Sequence, residues 1–144
     1  MLPTDRDDAK ASVRPRAVRA PWCRAQVVSH PGRALPSASV PLILLATDAD
    51  WLHAEVDSTL ADAETRVHRV HSGADVIPAI RVEEPDLILL DLQTGNMGAF
   101  ATCHALRLEE GAGRLPHFPV MMLLDRDDDL FLAQRAQADG WLIK

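Results

Sequence analysis

The chain has 144 residues, about one domain's worth, with 47% hydrophobic and 25% charged side chains, ordinary proportions for a globular protein. Its longest near-continuous apolar run, Val40 to Ala46 with Pro41 inside it, falls far short of the ~20 residues of a membrane-spanning helix. The formal net charge of -6 sets the chain against nucleic acid backbone and in favour of cations or basic partners.

That charge is unevenly placed. Residues 1–39 hold seven basic and three acidic side chains, a balance of +4, and residues 40–144 carry the remaining −10. The first segment also has five of the ten prolines and a single aromatic, Trp22. With so little apolar surface to bury, a disordered basic N-terminal extension is expected over 1–39, followed by a folded domain over 40–144. The extension lacks the apolar centre of a secretory signal, and its early acidic cluster argues against a transit peptide. Two distant cysteines, Cys23 and Cys103, form neither a disulfide framework nor a zinc site. A cytoplasmic location is expected.

From residue 41 strands and helices alternate. Leu42 to Ala46 is apolar on both faces, as a buried parallel strand requires, and ends at Thr47-Asp48. Asp50 is placed to cap a helix whose apolar positions are Leu52, Val56, Thr59, Leu60 and Ala63. Thr65 to Val70 alternates as an edge strand does. A second helix is predicted over Ala74 to Val82, kinked or shortened by Pro78. Asp86 to Asp91 is the clearest strand, entered through Pro85. A glycine-containing loop leads to a helix bearing Phe100, Cys103, Leu106 and Leu108. Val120 to Leu124 reads as the fourth strand, Asp127 to Ala138 as the fourth helix and Trp141 to Ile143 as the fifth strand.

Such repeats imply an α/β fold: an open, doubly wound parallel sheet of five strands. The two wholly apolar strands belong at its centre, which the flavodoxin-like order 2-1-3-4-5 satisfies. Ligands in these sheets bind beyond the carboxyl ends of the strands, at the switch point. Asp48, Asp91 and Lys144 all fall at those ends. Neighbouring strands lie ~4.8 Å apart, so two carboxylates there can share a cation, and Mg²⁺ often takes only one or two protein carboxylates. A carboxylate can also attack phosphorus to give an aspartyl phosphate, with a lysine binding another phosphoryl oxygen.

The residues resemble the receiver domains of two-component response regulators, the CheY-like family. The stretch Pro85 to Leu92, on through Met97 and Phe100, aligns without gaps to that family's phospho-acceptor segment. Pro119 to Leu123 is similar to its fourth strand, and Ala138 to Lys144 to its fifth, so the resemblance covers about residues 41–144. It implies a phospho-acceptor at Asp91 and Mg²⁺ held by Asp48, Asp91 and the backbone carbonyl of Gln93. It also implies a phosphoryl contact from Lys144, a switch aromatic at Trp141 and a histidine kinase as phosphoryl donor. Output would pass through protein–protein contact with a downstream target rather than by direct nucleic acid binding, and a homodimer is compatible with the pattern.

The departures are specific. Thr47-Asp48 stands where the family has two acidic residues, and Leu124 where it has the Ser or Thr that couples modification to the aromatic. Gly95 replaces a proline and Ala99 a glycine, and the family's final helix after Lys144 is missing. Thr47 and Leu124 favour an alternative: a pseudo-receiver that binds partners without phosphorylation. A third reading takes Asp48-Ala49-Asp50 as the paired carboxylates of a haloacid-dehalogenase-type phosphatase with Asp48 as nucleophile, although Trp51-Leu52 follows where that motif has Gly-Thr. Asp125 and Asp127 to Asp129 read most simply as a helix N-terminus, where carboxylates offset the dipole.

Overall fold

A computed structural model describes residues 40–60 and 64–144. The expected disordered extension over 1–39, and Ala63 of the first expected helix, lie outside the described residues. The sheet has the order β2-β1-β3-β4-β5, and every pairing is parallel. Its centre is β1 (Leu42–Ala46) beside β3 (Leu87–Asp91), with β2 (Arg66–Val70), β4 (Val120–Leu124) and β5 (Gly140–Ile143) outside them. All five positions of β1 are buried, as an apolar run covered on both faces must be.

Alternation along the strands divides the core in two. One face presents Leu44, Ala46, Ile88, Leu90, Val120, Met122 and Leu124. It packs against α2 (Val76–Glu83), α3 (Ala99–Gly111) and α4 (Leu130–Arg135) through Ile80, Cys103, Leu106 and Ala133. The other face presents Ile43, Leu45, Leu89 and Leu123, and α1 (Asp50–Leu60) covers it with Leu52 and Val56. Beside α1 runs a groove of about 320 Å³ lined by Trp51, Leu52, Val56, Leu89, Leu123 and Leu142.

Three local expectations change. Asp50 does not cap α1 from outside; it is the first helical residue. A 3₁₀ turn, Gly73–Asp75, precedes α2, with the Ser72 hydroxyl accepting from the Ala74 N–H at 3.1 Å. Pro78 therefore falls in the first turn of α2, where a missing N–H breaks little and no interior kink arises. The fourth helix is shorter than its pattern: Asp127–Asp129 form a 3₁₀ turn before α4. Gln137 then takes a left-handed backbone (φ 63°), which ends the helix and delivers Asp139 to bond the Val120 carbonyl.

At the amino-terminal edge of the sheet Arg107 ties three segments together. Its Nε donates to the Gln137 carbonyl at 2.9 Å, Nη1 to the Phe118 carbonyl at 3.2 Å and Nη2 to Asp139 Oδ2 at 2.6 Å. The same Asp139 oxygen accepts from the Val120 N–H at 2.8 Å. The end of α3 is thus fastened to the entry of both β4 and β5.

Candidate functional site

The carboxyl ends of four parallel strands converge because β1, β3, β4 and β5 stop in register: Ala46 lies opposite Leu90, Asp91 opposite Leu123, and Leu124 opposite Ile143. Thr47 and Asp48 follow β1, Asp91 ends β3, Asp125 follows β4 and Lys144 follows β5. Thr94, buried in the turn after β3, donates its hydroxyl to the carbonyls of Ala46 and Asp91 at 2.7 Å each, fixing the β1 and β3 ends side by side.

Asp91 is the buried centre of the group, at 1% exposure. Its Oδ1 accepts from Lys144 Nζ at 2.6 Å and its Oδ2 from the Thr47 hydroxyl at 2.8 Å. The ammonium has to reach across the end of β4, and its side chain is only 12% exposed. Burial of that kind disfavours a charge. Hydrogen bonds to Asp125 and Asp91 outweigh it and raise the Lys144 pKa above the ordinary lysine value. The ammonium is accordingly charged, and aimed at Asp91.

Asp48 is exposed, and its Oδ2 accepts from the Gly95 N–H at 2.7 Å. A Cβ on Gly95 would stand 2.5 Å from that oxygen, and a proline there would have no N–H to donate. The departure at residue 95 and the position of Asp48 are thus one arrangement. Gln93 lies in the turn after β3, with its N–H 3.4 Å from Asp91 Oδ1 and its side-chain amide donating to Asp125 at 3.0 Å. Trp141 is half-buried against the larger core and Leu124 fully buried within it, so the Leu124 side chain contributes packing and no hydroxyl.

Asp50 stays apart from this cluster. Arg69 binds it at 2.6 Å and holds its carboxyl below the usual range, so the paired-carboxylate arrangement with Asp48 does not form. Two members have contacts that the sequence did not foretell. Thr47 is buried, and its hydroxyl both donates to Asp91 and accepts from the Ala49 N–H at 3.0 Å. Asp125, read as part of a helix terminus, instead pairs with Lys144 Nζ at 2.8 Å. That hydrogen bond lowers the Asp125 pKa despite its partial burial. Their signal was positional: each directly follows an apolar strand of the central sheet.

The donor atoms suit a hard cation. Asp48 and Asp91 supply carboxylate oxygens and Gln93 a main-chain carbonyl, the oxygen chemistry Mg²⁺ accepts alongside its own waters. Among the described residues no cluster of three or more His, Cys, Asp or Glu side chains could cage an ion.

No family model matches the chain. Among curated proteins it is 28% identical over 107 residues to the transcriptional regulatory protein AfsQ1 of Streptomyces coelicolor, covering 73% of this chain and 45% of that one. It is 33% identical over 104 residues to the nitrate/nitrite response regulator protein NarL of Escherichia coli K12, covering 71% of this chain and 47% of that protein. The chain thus spans less than half the length of these relatives. Among solved structures it resembles the BeF3-activated N-terminal receiver domain of Klebsiella pneumoniae RstA, with a TM-score of 0.62, 24% identity, and coverage of 72% of this chain and 85% of that one. It also resembles the receiver domain of the Pseudomonas aeruginosa sensor histidine kinase PA1611, solved with magnesium in its active-site cleft, with a TM-score of 0.63, 20% identity, and coverage of 74% and 86%.

Proposed function

The chain carries a response-regulator receiver domain of two-component signalling, and on that premise we propose that Asp91 accepts a phosphoryl group from a histidine kinase. The observation that carries this reading is the buried Asp91 carboxylate at the sheet's carboxyl edge with Lys144 Nζ 2.6 Å away. In the reaction an Asp91 oxygen attacks phosphorus as the P–N bond of a phosphohistidine breaks. The imidazole leaves and takes up a proton. Lys144, already charged, binds an oxygen of the transferring group, where negative charge accumulates.

Asp48, Asp91 and the Gln93 carbonyl would hold Mg²⁺, as the magnesium in the PA1611 receiver encourages. The ion supplies charge neutralisation at the phosphoryl oxygens. Asp48, anchored by Gly95, presents its exposed carboxylate to solvent. Output passes by altered contact with a downstream protein. Among the described residues no helix is long and apolar enough to cross a membrane. The signal is carried by the modified domain, with no turnover of a small substrate.

The test is incubation with acetyl phosphate and Mg²⁺, read by intact mass. One added phosphoryl group on the wild type, absent from Asp91→Asn, is the expected result, and an unlabelled wild type defeats the reading. A second reading has its own observation: both Asp91 oxygens already hold protein donors, Thr47 and Lys144. A pseudo-receiver closed in this way would bind its partner equally well with and without Mg²⁺ and phosphoryl donor.

A further inference from the structure

Lys144 does not serve Asp91 alone. Its Nζ lies 2.6 Å from Asp91 Oδ1 and 2.8 Å from Asp125 Oδ1. Asp125 is held in place by the Gln93 amide on its other oxygen at 3.0 Å. An incoming phosphoryl group therefore meets an ammonium already shared with a second carboxylate, and one extra negative charge at the rim. Leu124, directly before Asp125, offers no hydroxyl to the same group.

We propose that Asp125 is a positioning residue for phosphoryl uptake, which restrains the reaction at Asp91 by competing for Lys144. The proposal rests on Asp91 being the acceptor. When Asp91 Oδ attacks acetyl phosphate, the new O–P bond forms as the P–O bond to acetate breaks. The added phosphoryl oxygens then draw Lys144 from Asp125, releasing the segment after β4.

The experiment compares wild type, Asp125→Asn and Asp125→Glu in the full chain, with acetyl phosphate and Mg²⁺, by timed intact mass. Asp125→Asn should label about fivefold faster, the scale of one partly exposed charge contact. Its advantage should shrink at high ionic strength, a response that a merely structural role would not give, and Asp125→Glu should restore the slow rate. The chain has two lysines, Lys10 and Lys144, so lysine-selective isotope labelling reads the Lys144 ammonium directly by NMR. At fixed pH and without phosphoryl donor, that resonance should move in Asp125→Asn. An unmoved resonance, or a labelling rate equal to or below wild type, overturns the proposal. Labelling of no variant, with a resonance that still follows Asp125, overturns the restraint on uptake and identifies the acceptor reading as the part that failed.

Discussion

Thr47 shows how one hydroxyl can set the character of a site. It donates to Asp91 Oδ2 and accepts from the Ala49 N–H while wholly buried. Thr47→Val keeps the shape and strands both partners, which should cost about 1–3 kcal/mol in urea unfolding. The same change frees an Asp91 oxygen, so Mg²⁺ binding followed by calorimetry should hold or tighten while stability drops. At this scale Asp48, Asp91 and Lys144 were legible from sequence because each ends an apolar run whose partner strands could be guessed. The contacts of Thr47 and Asp125 were not. Whether a side chain at a strand end turns inward depends on register and on which neighbour's charge it meets, and neither is written in local spacing.

Between elements, the loop after β3 is stapled to the loop after β2. Gly73 N–H donates to the Gly95 carbonyl at 3.4 Å, Ala74 N–H to Asn96 at 3.3 Å, and the Ser72 hydroxyl to Asn96 at 3.1 Å. Gly73 is required there: a Cβ would stand 1.8 Å from the Met97 carbonyl oxygen and 2.2 Å from Thr102 Oγ1. Backbone cannot yield as a flexible side chain can, so Gly73→Ala should lower stability by about 3 kcal/mol or more by the overpacking route, and should disturb Asp48 through Gly95. Asn96 and Met97 take positive φ values of 42° and 81° in the same loop, a strained geometry that the staple and the Thr102 hydroxyl on Met97 hold in place. The five strands were legible because their runs are apolar and separated by helical periods. Helix ends were less so: α4 stops at Arg135 because the chain must turn at Gln137 to enter β5, a constraint that periodicity does not encode.

On the scale of the whole molecule, stability falls on the larger core, where Cys103 is fully buried and donates to the Ala136 carbonyl at 3.2 Å. Burial pushes its thiol up to about 11 from 9.0. The unfolded thiol ionises first, so this contribution is complete below about pH 9 and is lost as pH rises through 11. Urea unfolding should show a decline of about 2–3 kcal/mol across that window, and Cys103→Ala should remove that part of the slope. Among the described residues the core is also divided unequally, with α2, α3 and α4 on one face of the sheet and α1 on the other. The run Leu42 to Ala46, apolar on both faces, predicted a sheet covered on both sides, but not which helices would share each side.

The Arg107 clamp has a mechanical consequence. It pins β4 and β5 where they enter the sheet, whereas their opposite tips carry Asp125 and Lys144. Both ends of the strand pair are thus tied by charge, the entry through Arg107 and the exit through Lys144, so cutting the exit tie leaves the entry in register.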